Sequence, residues 1–167
     1  MAETRGKKTA IIALLTGLSL IAFSLESLLP SLPVPGAKLG LANIFIMLCL
    51  ISYSMPEALI VLMAKLILSA VFGGFSQLTY SAPAGLISFF VSWLLIKFFS
   101  EKLSVIAVCA LSGAIHNIIQ LSVFGFVTRS YVAYYAPYLI IAGAVAGAVT
   151  GGAVYLTVKR QLAIRNS

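Results

Sequence analysis

The chain has 167 residues, 61% apolar and 9% charged, with a mean hydropathy of +1.10. A water-soluble domain is roughly half apolar and about a quarter charged, so the composition points to an all-α integral membrane protein and leaves no room for a sizeable soluble domain. The net charge of +7 does not indicate nucleic acid, because the basic residues sit in short clusters between apolar runs, as membrane orientation requires.

The predicted elements form one domain over residues 1–167, with six transmembrane helices of about 20 residues each. MAETRGKK leads into an apolar run longer than a signal-peptide core, with no obvious small-residue cleavage site. Residues 9–29 are therefore expected to be a retained first span. Ala13 and Gly17 form a small-xxx-small pair there, and Glu26 lies one turn before Pro30. Glu26 either pairs with Lys38 or Arg129 and ties loops together, or is simply solvated.

The segment 30–45, PSLPVPGAKLGLANIF, is the organising stretch. Pro30, Pro33 and Pro35 cannot lie in regular helix, and Gly36 frees the chain to turn. Lys38 and Asn43 then enter a segment otherwise suited to hydrocarbon, where polar groups are costly and usually functional. This predicts a re-entrant loop that helps to form a ligand site.

Span 2 is expected at 39–52 and span 3 at 57–72, with a tight turn at YSMPE and Pro56 at a helix start. Both look short for a bilayer of ~30 Å. Lys65, in span 3, either snorkels to an interface or meets an anionic ligand or a partner carbonyl. GGFSQLTYSAP is read as a loop broken by Gly73, Gly74 and Pro83. Spans 4, 5 and 6 follow at 84–99, 103–128 and 137–158.

Span 5 carries HNIIQ. His116 and Gln120 share a helix face, with Asn117 beside them. Such groups face a bundle interior or a wet cavity, either as ligand contacts or as an interhelical network. Tyr131, Tyr134, Tyr135 and Tyr138 form either an interfacial aromatic belt or a stacking wall for a flat ring such as a flavin or quinone. Gly143, Gly147 and Gly151 recur every fourth position in span 6, a stripe that lets a helix approach closely, within the chain or from a partner.

No aspartate is present, and Glu3, Glu26, Glu57 and Glu101 are far apart. Clustered carboxylates for magnesium–diphosphate chemistry and a glycine-rich GK[ST] loop are both missing from the sequence, so catalysis by this chain alone is not expected. Cys49 and Cys109 fall inside predicted spans, which argues against a disulfide framework and against a metal site. Arg5, Lys7 and Lys8, then Lys97 and Lys102, then Lys159, Arg160 and Arg165 fall on one side of a six-span topology. Both termini are thus expected to be cytoplasmic, in the cell membrane.

The order PGAKLGLANI, FGGFSQLTYSAPAGLIS and SGAIHNIIQL resembles the Gx transporter family, often labelled heptaprenyl diphosphate synthase component I. That family is similar to the substrate-binding S components of energy-coupling factor transporters. The resemblance implies a six-helix fold with a pocket open to the outside for a vitamin-like ligand. It also implies a transmembrane coupling subunit and two ATPases as partners, with Ala13 and Gly17 the nearest match to the docking pattern on span 1. The expected ligand contacts are Lys38, Asn43, His116, Asn117, Gln120 and Tyr135, and no metal or resident cofactor is expected. The alternatives are a membrane subunit of a flavin- or quinone-linked electron-transfer system, or a non-catalytic component of a prenyl diphosphate synthase.

Overall fold

The computed structural model describes residues 5–28 and 40–165. Among them are six α-helices: α1 (Arg5–Leu28), α2 (Leu41–Ser52), α3 (Met55–Gly73), α4 (Phe75–Phe99), α5 (Val105–Thr128) and α6 (Ala136–Arg165). A single 3-10 turn (Ala133–Tyr135) leads into α6, and the described residues contain no strand. Four stretches are long and apolar enough to cross a membrane: Arg5–Glu26, Leu78–Phe99, Val105–Thr128 and Ala133–Gln161. At 12 residues, α2 is only ~18 Å long.

Helix ends follow local chemistry. Ser104 caps α5 by accepting from the Ala107 amide at 3.2 Å. At its far end the chain turns through Arg129, whose φ of 51° is left-handed and whose amide bonds Gly125 O. Ser54 donates to the Glu57 carboxylate at the head of α3, where Pro56 sits in the first turn. Lys8 donates to the same carboxylate at 2.5 Å and brings the starts of α1 and α3 together.

The expected loop at 73–83 is largely helix. Only Gly74, with φ 84° and ψ 154°, interrupts the chain, and α4 begins at Phe75 with Pro83 inside it. FSQLTYSA completes two turns before the proline, so the cost is one helical hydrogen bond and a local clash, about 3 kcal/mol. A packed apolar helix can absorb this. Lys159 and Arg160, expected just beyond span 6, lie within α6.

The α5–α6 pair runs antiparallel with the backbones in contact. A Cβ on Gly143 would lie 2.4 Å from Gly113 O, one on Gly147 would lie 2.1 Å from Cys109 O, and one on Gly151 would lie 2.7 Å from Ile106 Cα. The glycine stripe thus packs inside the chain, and these three residues do not offer a partner surface. On the other side of the bundle, Ile46, Cys49 and Leu50 of α2 pack with Val61, Leu62 and Leu66 of α3, and Phe89, Val108 and Val154 join the same core. Leu14, Ile21 and Leu25 of α1 and Val145 and Val149 of α6 point outward, as faces that meet hydrocarbon do.

The two ends of the bundle differ in charge. α1, α3 and α5 start at one end, where α4 and α6 finish, and that end carries Arg5, Lys7, Lys8, Lys97, Lys102, Lys159 and Arg160. The Lys97 ammonium lies 4.8 Å from the Trp93 ring centroid, a pairing suited to a membrane–water boundary. The opposite end has Arg129 as its basic residue among those described.

Candidate ligand-binding site

The least basic end leads into a cavity walled by all six helices. α1 contributes Phe23 and Glu26, α2 Asn43 and Met47, α3 Lys65, and α4 Ser81 and Ser88. α5 contributes Ser112, His116, Asn117 and Gln120, and α6 Gly143, Gly147 and Thr150. Its volume is about 90 Å³. A single water needs roughly 10–15 Å³ of such space, so the hollow has room for a small molecule.

Its upper wall is held by Glu26, which is buried and accepts a hydrogen bond from the Gly40 amide at 2.6 Å. Gly40 has φ 72° and precedes α2, so the carboxylate sits at a helix N-terminus, where the backbone dipole favours it. Ser19 donates to Ala42 O at 3.1 Å and fixes the same α1–α2 corner. The Lys65 ammonium is 5.9 Å from the Phe23 ring centroid, within reach of a cation–π contact.

Between α4 and α5 runs a chain of hydroxyls. Ser92 donates to Ser112 Oγ at 2.7 Å, Ser112 donates to Ser88 O at 3.0 Å, and Ser88 Oγ lies 3.2 Å from His116 Nδ1. Ser88 also reaches Gly85 O at 3.2 Å, and its hydroxyl has one proton to give. When that proton goes to Gly85, His116 Nδ1–H donates to Ser88, which makes the other ring nitrogen the acceptor in the neutral imidazole. Asn117 is committed to structure: its Nδ2 donates to Leu139 O at 3.0 Å across the α5–α6 seam.

A family model described as heptaprenyl diphosphate synthase component I matches residues 15–156 of the 167. The chain belongs to the heptaprenyl diphosphate synthase component I family. No curated protein and no solved structure matches it. The stretch that this component I family model covers includes every cavity-lining residue, from Phe23 to Thr150.

Of the residues expected at the site in this component I chain, Asn43, His116, Asn117 and Gln120 come together in the cavity wall. Lys38 lies outside the described residues. Tyr135 is not in the wall. It stands in the 3-10 turn, packs against Leu121 and Leu139, and its ring centroid is 4.1 Å from that of Tyr134. The stacking wall for a flat ring is therefore not part of this cavity, because the tyrosines pack against one another at the α5–α6 connection. Ala13 is exposed and Gly17 has nothing within 4 Å of an added Cβ, so that face of α1 is open.

Two charged residues whose roles the sequence left open, Glu26 and Lys65, also line the cavity, and so do Ser88 and Ser112, which were not anticipated. Ser88 and Ser92 are one turn apart in an apolar helix, a spacing that signals a polar seam. No cluster of three or more His, Cys, Asp or Glu able to hold a metal occurs among the described residues.

Proposed function

We propose that this chain is the substrate-binding membrane subunit of an uptake system, with six spans, both termini cytoplasmic and an S-component-like role. It would hold a small vitamin- or cofactor-like molecule while separate ATPase subunits supply the energy. The observation that carries this reading is one cavity in an apolar bundle to which all six helices contribute and whose wall is rich in polar side chains. Amides, a histidine and a lysine at membrane depth are costly, and a ligand is the usual reason to retain them. Lacking both aspartate and a phosphate-binding loop, the sequence leaves energy coupling to other chains.

Native mass spectrometry of the protein extracted from its own membrane tests the proposal. A retained small molecule together with companion polypeptides is the expected result. A bare chain, with no ligand and no companions, rejects it.

The family description favours a second reading, a non-catalytic component of a heptaprenyl diphosphate synthase whose carboxylates reside on a partner chain. Under that reading, deleting this chain abolishes the partner's product formation. Undiminished synthesis after deletion eliminates it.

A further inference from the structure

Asn43 and Gln120 are carboxamides in the cavity wall, and neither side chain has a hydrogen-bond partner among the described residues. Gln120 is only 7% exposed. Among the described residues no buried polar side-chain atom is sealed off without a partner, so both amides look into the hollow. An amide left unmet away from water is unfavourable, which means that solvent satisfies these groups in the empty protein and a ligand must do so when it displaces that solvent.

We infer that the cavity takes a molecule of no net charge that presents an amide edge, an N–H and a C=O side by side, as in a cyclic imide, a lactam or a primary carboxamide. The inference rests on the ligand-binding reading above and names its ligand class. A carboxamide offers two donors and one acceptor on one planar group, and it closes a two-point contact with such an edge. A carboxylate or phosphate carries acceptors only, so it could accept from the amide N–H groups but would leave the amide oxygens without a donor.

Charge in the wall points the same way. Among the described lining residues, Glu26 and Lys65 are the carboxylate and the ammonium, and their charges offset one another. An anion would add an uncompensated charge in a medium that screens poorly, whereas an uncharged ring would not. Phe23 and Met47 supply apolar surface for the faces of such a ring.

The test uses the full chain in lipid nanodiscs with four probes: uracil, nicotinamide, nicotinate and inorganic diphosphate. Binding is read by calorimetric titration and by thermal unfolding, for the wild type and for Asn43→Leu and Gln120→Met. Uracil or nicotinamide is expected to raise Tm and to bind at least tenfold more tightly than either anion. Each substitution should weaken that binding tenfold or more. Without ligand, Gln120→Met should unfold at or above the wild-type temperature, because it removes an amide that the empty protein does not pair.

Tighter binding of nicotinate or diphosphate overturns the inference. So does neutral-probe binding unchanged in both variants, a Gln120→Met protein that unfolds well below wild type, or no response to any probe. Preference for an anion would refute the ligand class and leave the uptake reading standing. That reading is lost only if the chain from its own membrane carries neither a ligand nor companions.

Discussion

Asn117 and Gln120 are neighbouring amides on α5 that both line the cavity, yet of the two only Asn117 is paired among the described residues. Asn117 bridges to Leu139 O, while Gln120 faces the hollow. Replacing Asn117 by Leu should therefore lower stability by about 1 kcal/mol, the usual value of an interhelical hydrogen bond in a bilayer-like setting. Thermal unfolding in detergent would show this as a lower Tm, and a variant as stable as wild type would mean that the bond contributes nothing. The HNIIQ pattern was legible as a polar helix face, because spacing alone defines it. Which amide is committed to packing was not legible, because a carbonyl on a different helix decides it. Glu26 and Lys65 were ambiguous for the same reason: burial belongs to the neighbours that surround a residue. Tyr135 was assigned to a ligand on chemistry alone, and its packing against Leu121 and Leu139 overrode that.

At the level of elements, apolar runs located all six helices, but α4 starts nine residues earlier and α6 ends seven residues later than expected, where proline-containing and charged segments continued a helix. Pro83 was the main error. Proline disfavours helix locally, but residues 75–82 had already formed turns that packing could stabilise. The glycine stripe was legible as a close contact, though spacing does not say whether the neighbour is α5 or a second protein. Substitutions separate the two kinds of glycine. Gly147→Ala forces a methyl to 2.1 Å from Cys109 O, so α5 and α6 must part. Overpacking of this kind costs roughly 1–3 kcal/mol, and because Gly147 lines the cavity the change should weaken ligand binding as well. Gly17→Ala meets nothing within 4 Å and should leave the isolated chain as stable as wild type, or up to about 1 kcal/mol more stable. Parallel melting curves of the two variants check the contrast. If the open face of α1 seats a coupling subunit, Gly17→Leu should remove the companion polypeptides from native mass spectra and leave Tm unchanged.

At the scale of the whole molecule, the cavity and the basic residues occupy opposite ends. Glu26 near the close of α1, Ser81 near the start of α4, Gln120 towards the close of α5 and Gly143 near the start of α6 all lie towards the end away from Arg5, Lys97 and Lys159. Lysine- and arginine-rich ends stay in the cytoplasm, so the proposed uptake direction requires the cavity to face outward. Two exposed serines mark the two ends: Ser130 follows α5 at the cavity end, and Ser100 follows α4 at the basic end. Cys49 and Cys109 are buried, so cysteines introduced at these serines should dominate labelling by a membrane-impermeant maleimide. Intact cells should label Ser130→Cys, and Ser100→Cys should react only after permeabilisation. The reverse pattern would turn the cavity toward the cytoplasm. An uptake subunit so oriented could not capture its substrate from outside, whatever its amides bind.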